Sequence, residues 1–239
     1  LHKAIRDGKA IDLEETLIEA DALLAVICRN QQSVLAFLSE APQGCYLYEH
    51  PVRVSILLGI LAIELGMDLN EIHQVILGGF LFDIGNALVP ETILYKRTKL
   101  NEQEYNWIRE HTVQGRQILA YCDGVGEITK DIVFCHHERL DGSGYPQGLK
   151  GEELSIYTRM INIIDTYDAI LPFDRRRSGR AAHRRGHPRT TAEPHRRADA
   201  RVGAVLDAVR GGRSEPVGIR WLEPTGSRQA FPGAGAPQT

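Results

Sequence analysis

The chain has 239 residues, of which 43% are hydrophobic and 25% charged, with a net charge of −3. That is the profile of an ordinary soluble globular chain, one sizeable domain or two small ones, and it gives no basis for nucleic-acid or anionic-membrane binding. The longest apolar run, Val54–Ile63, ends at Glu64 and is too short to span a bilayer.

The average charge hides a split. Residues 1–170 carry 14 Lys and Arg against 25 Asp and Glu, whereas residues 171–239 carry 14 Arg, no Lys and six acidic residues. Cys28, Cys45, Cys122 and Cys135 form no CxxC pair, which reads as reduced thiols in a cytoplasmic protein. There is no signal peptide, and an opening at Leu1 without Met fits a fragment lacking an upstream domain.

The predicted elements are helices throughout. Residues 11–40 repeat apolar positions at helical spacing (Leu13, Leu17, Leu24, Ile27, Val34, Leu38), and Pro42 and Gly44 end that region. A second helix is expected over 51–65, with Pro51 in its first turn and Gly66 as its stop. A third is expected over 70–83, apolar enough near its end to be buried. Asn101 followed by Glu104 predicts a capping box opening a helix to about residue 121. Another helix is expected over 125–138, and a last one over 155–170. Between these two, Arg139–Gly151 is rich in glycine and must be a loop. No strand alternation is present, so the fold class is all-α.

Domain boundaries follow from this pattern: an N-terminal helical segment over 1–40, the main domain over 41–170, and a basic tail over 171–239. The tail has almost no apolar periodicity and too little hydrophobicity to fold on its own. A solvated tail and a slipped reading frame near residue 170 both account for its Arg, Ala, Gly and Pro bias.

The residues that can carry chemistry are imidazoles and carboxylates. HHERLDGSGYP, His136 to Pro146, sets a histidine pair before a Gly-rich loop. His50 stands at the start of an apolar helix, Asp83 at the end of another, His111 inside a third, and Asp165 among isoleucines. Taken singly, each reads as readily as a satisfied histidine or a solvated carboxylate. Together they form a mixed donor set spread over five predicted helices, the kind that holds a metal pair in a bundle core. The absence of thiolate suits iron or manganese, and zinc less distinctively.

The segment from His136 to Ile170, with its GYP loop, resembles the HD-GYP domain of the HD phosphohydrolase superfamily. YEHPVRVSILLGILAIELGM and FLFDIGNALVPETILYKRTKLNEQEYNWIREHTVQGRQIL are similar to its upstream histidine helices and HD motif. The resemblance covers residues 15–170. It implies an all-α bundle of the HD type that hydrolyses cyclic di-GMP to pGpG or GMP with two divalent metals. It implies that His50, Asp83 and Asp165 serve one metal, and that Asp83 bridges to a second held by His111, His136 and His137. Gly144, Tyr145 and Pro146 would shape the substrate side, and that loop would dock diguanylate cyclase domains. Asp168 would be a second acidic residue near the substrate. Tyr46 stands where some members carry a Glu for a third metal.

Three departures accompany the resemblance. Phe82 stands where the family has the histidine of its HD pair, and Asn86 where it has a lysine. Phenylalanine has no lone pair for a metal, and an amide carries no positive charge. After Ile170 the chain reads LPFDRRRSG, with Asp174 and Arg175 as a displaced remnant of a ligand-contacting segment. The expectations are therefore a phosphodiesterase impaired by Phe82 and Asn86, a pseudo-enzyme that binds a partner or nucleotide, or a decayed gene product.

Overall fold

The computed structural model describes residues 1–9, 11–40 and 46–170, without the side chains of a few residues near breaks such as Tyr46. The expectations for Tyr46, Pro42, Gly44, Cys45 and the tail with Asp174 and Arg175 lie outside what is described.

The architecture is all-α. Its helices are α1 (His2–Arg6), α2 (Glu14–Arg29), α3 (Gln31–Glu40), α4 (Tyr46–Glu64), α5 (Leu69–Leu81), α6 (Glu91–Leu94), α7 (Glu102–Leu119), α8 (Glu127–Cys135) and α9 (Ile156–Ile170). Short 3-10 turns occupy Ile84–Leu88 and Gly151–Glu153. Helix α5 lies at the centre, packed by α4, α8 and α2, while α9 covers α4 and α8. The core is built by α4 and α5, whose Val54, Leu58, Leu61, Val75, Ile76 and Leu77 are at most 1% exposed. Burial of such aliphatic side chains is the main force holding the helices together. No described helix is long and apolar enough to cross a membrane.

Several expected boundaries move for local reasons. The 11–40 region splits at Asn30, whose extended backbone (φ −162°, ψ 88°) ends α2 and whose Oδ1 accepts from Ser33 N at 3.0 Å. Helix α4 begins at Tyr46, so Pro51 lies inside it rather than in its first turn. Proline there removes one hydrogen bond near the helix start, and the packing of the apolar turns that follow outweighs the loss. The capping box at Asn101 forms as the sequence indicates, with Glu104 N donating to Asn101 Oδ1 at 2.8 Å and Asn101 N to Glu104 Oε2 at 2.9 Å. An equivalent box at Asp68 and Glu71 starts α5.

Two helix ends matter for the site. Helix α5 stops at Leu81, not at 83, and the chain tightens so that Asn86 N donates to Asp83 O at 2.9 Å. Helix α8 stops at Cys135, not at 138, which leaves His136 and His137 on the turn beyond it. Gly85 permits the first of these turns to press against α7: a Cβ there would lie 1.9 Å from the His111 carbonyl oxygen.

Candidate metal centre

Five elements converge at one end of the bundle. Helix α4 brings His50, the α5 end brings Phe82 and Asp83, α7 brings His111, the α8 end brings His136 and His137, and α9 brings Asp165 and Asp168. The result is two groups of polar side chains with an aromatic ring between them.

The first group is the histidine trio. His111, His136 and His137 each offer a ring nitrogen, and these atoms lie within 4.8 Å of one another. Backbone carbonyls fix two tautomers. His111 Nδ1 donates to Ile108 O, and His136 Nδ1 donates to Val133 O at 3.0 Å. Since a carbonyl only accepts, each of these Nδ1 atoms carries a proton, and Nε2 is the atom that each ring offers to a metal. These two Nε2 atoms face each other at 3.1 Å. Burial and the neighbouring His111 push the pKa of His136 down to about 4, so its imidazole is neutral near pH 7. Asp83 Oδ1 approaches them at 3.5 Å from His111 Nε2 and 3.8 Å from His136 Nε2. Two opposed lone pairs, a third imidazole and a carboxylate are donors that a divalent cation would satisfy. This half therefore fits a metal.

The second group is held by charge pairing. His50 Nδ1 lies 2.6 Å from Asp168 Oδ2, and His50 Nε2 lies 3.0 Å from Asp165 Oδ1. Arg53 grips Asp168 through Nε at 2.7 Å and Nη2 at 2.9 Å. Burial opposes charge on His50, but the hydrogen bonds to Asp165 and Asp168 and their charges outweigh it and push its pKa up to about 9. Asp168 is burdened by burial too, yet His50 and Arg53 lower its pKa below the ordinary carboxylate value. The site is thus closed by a proton and an arginine.

Phe82 separates the groups. Its ring stands edge-on to His50 at 5.6 Å between centroids and edge-on to His136 at 5.1 Å, and it is 2% exposed. It contributes bulk and no donor. Asn86, in the 3-10 turn, is buried and uncharged. Among the described residues, His50, Asp165 and Asp83 remain as donors for a second metal beside the Arg53-held Asp168, and the first two already share a proton. This half does not fit a metal as it stands.

The Gly-rich loop covers the trio. The Tyr145 ring lies over His137, with centroids 4.7 Å apart and planes at 33°. Gly144 is obligatory by contact, since a Cβ there would lie 2.4 Å from Glu138 Cα and from Arg139 N. Pro146 follows Tyr145 through a cis peptide bond. The carboxylate of Glu138, 1% exposed, accepts from the amides of Gln147, Gly148 and Leu149 at 2.5, 3.0 and 3.0 Å. Glu138 and Arg53 lie outside the candidate residues that the sequence motifs mark. The available signals were an acid directly before a Gly-rich loop, whose amides need acceptors, and an arginine three residues after His50, hence on the same helix face.

Comparisons with known proteins bear on the family and the fold. The family model described as HD domain matches residues 35–183. A cyclic di-GMP phosphodiesterase of Pseudomonas aeruginosa is 36% identical over 165 residues, covering 69% of this chain and 40% of that protein. A 3'3'-cGAMP-specific phosphodiesterase of Vibrio cholerae is 38% identical over 125 residues, covering 52% of this chain and 29% of that protein. A cyclic di-GMP phosphodiesterase of Thermotoga maritima is 34% identical over 139 residues, covering 58% and 38%. The chain thus spans two fifths or less of these relatives' own length. Among solved structures, the HDG"Y"P protein of Bdellovibrio bacteriovorus shares the fold with a TM-score of 0.60 at 19% identity, covering 84% of this chain and 65% of that one. The chain belongs to the HD-domain family, in its HD-GYP group.

Proposed function

We propose that this chain is a cyclic-dinucleotide phosphodiesterase module of impaired turnover that holds one divalent metal, iron or manganese. The ligands are His111, His136, His137 and Asp83, and the substrate is cyclic di-GMP. The observation that carries this reading is the face-to-face pair of Nε2 atoms of His111 and His136, 3.1 Å apart, with the Phe82 ring filling the space beside them. The names of the relatives, phosphodiesterases for cyclic di-GMP and for cGAMP, support the substrate class.

When bound, a divalent metal supplies a Lewis acid for a phosphoryl oxygen and lowers the pKa of a bound water. The residues of the chain supply the rest. Backbone carbonyls aim the rings of His111 and His136, and burial together with the neighbouring His111 keeps His136 neutral. Asp83 brings the negative charge that binds the cation. Glu138 fixes the loop that carries Tyr145 over His137. Phe82 withholds a donor and Asn86 withholds a charge, so a second cation and part of the phosphate neutralisation are lost. Hydrolysis slows because both contributions act on charge that develops during the reaction.

The test is metal analysis and product analysis on the purified chain. Expected are about one iron or manganese per chain, its loss on replacing His136 and His137 with Ala, and slow conversion of cyclic di-GMP to pGpG or GMP. A metal-free preparation from iron- and manganese-replete cells sinks the reading. A second reading, a pseudo-enzyme that binds without turnover, is favoured by the proton-closed His50, Asp165, Asp168 and Arg53 cluster. It predicts nucleotide binding with no product.

A further inference from the structure

The cation that Asn86 cannot supply has a candidate replacement on α7. Arg109 is half-buried two residues before His111, and its guanidinium lies over the Tyr145 ring at 4.6 Å from the centroid. It also lies 5.6 Å from the centroid of Tyr105. Tyr145 in turn covers His137. Among the described residues Arg109 forms no ion pair with a carboxylate, unlike Arg53 or Lys96. A guanidinium held by ring faces keeps its N–H donors for another acceptor, and its planar fork suits phosphate oxygens. Tyr105 also lines a shallow groove of about 400 Å3 with Lys99, Leu100, Asn101 and Glu102, so the strip continues outward with open space beside it.

We propose that Arg109, seated on Tyr145 beside the histidine trio, is the phosphate-binding residue through which this chain recognises a cyclic dinucleotide. A cyclic dinucleotide carries two phosphodiesters, and only one can engage a metal at the trio for cleavage. The Arg109 guanidinium, one ring beyond His137, meets phosphate charge without being a metal ligand. This assignment rests on the cyclic-dinucleotide reading of the site. It adds the residue that gives anion affinity in a chain whose HD-motif lysine position is Asn86.

The experiment is calorimetric titration of the purified, metal-loaded chain with cyclic di-GMP, together with metal analysis, for wild type, Arg109→Ala and Arg109→Lys. Expected is a loss of about 10- to 100-fold in affinity for Arg109→Ala, the scale of a charge-assisted hydrogen bond, with metal content unchanged. Arg109→Lys restores part of it, because the charge returns without the fork. The salt dependence of binding also flattens in Arg109→Ala. Wild type that binds while Arg109→Ala binds equally well overturns the role of Arg109 and leaves the nucleotide reading intact. Loss of metal together with affinity in Arg109→Ala also overturns it, since the residue would then support the histidines instead. Wild type that binds no cyclic di-GMP overturns both.

Discussion

The Phe82 ring stands edge-on to His136, with centroids 5.1 Å apart and planes at 82°. It meets His50 in a second T-shaped contact, at 5.6 Å and 77°. One aromatic side chain therefore divides a donor set that five helical elements have brought together.

Replacing that ring with an imidazole restores the missing donor. Phe82→His combined with Asn86→Lys is expected to raise metal content from about one to about two per chain and to raise the rate of cyclic di-GMP hydrolysis. Metal analysis and a chromatographic product assay measure both. Phe82→Ala is the control: it removes the ring without adding a donor and costs about 3–5 kcal/mol of stability. Equal activity in the control and the double variant would falsify the donor argument.

Stability of the metal-stripped chain is expected to peak near neutral pH. The ordinary histidine value is 6.5, while His136 is held down to about 4 in the fold. Between these values the unfolded chain binds the extra proton, so stability falls as pH drops. His50 has the opposite sign: it is raised to about 9, so between 6.5 and 9 the folded chain holds the extra proton. Its contribution is complete below 6.5 and is lost as pH rises through 9. Each limb has a slope of at most about 1.4 kcal/mol per pH unit. Urea unfolding in chelator across this range measures both limbs, and His136→Leu should flatten the acid one.

Glu138 is expected to matter more to the loop than to the bundle. Glu138→Ala leaves three buried amide donors without their acceptor, a loss on the order of 2 kcal/mol. Hydrogen exchange at Gln147, Gly148 and Leu149 should accelerate selectively, while amides of α5 stay protected. Uniform acceleration across both would mean that the carboxylate supports the whole fold.

Gly85→Ala should be poorly tolerated although the site is small. The added Cβ would lie 1.9 Å from the His111 carbonyl oxygen and 2.7 Å from the Gly115 nitrogen, both backbone atoms that cannot rotate away. The 3-10 turn must then lift from α7, taking Asp83 away from His111. A cost of about 3 kcal/mol and reduced metal content are expected. Wild-type urea stability with full metal content would overturn the account of this contact.

Local spacing and residue chemistry determined much about this protein. The helical class, the Asn101 capping box and the candidate donors from His50 to Asp165 are legible as residue types and spacings, whereas the departures at Phe82 and Asn86 are legible only through the family resemblance. Helix ends were less legible, because the turns at Phe82–Asp83 and at His136–His137 are set by what packs on them. Only the tertiary structure decided which donors face each other. His50 and Asp168 are 118 residues apart in the chain and 2.6 Å apart in space. That proximity comes from α4 packing on α9, and helix packing is not written in any short window of sequence. The same packing sets the Phe82 ring against both His50 and His136 and gives Arg53 its acceptor Asp168.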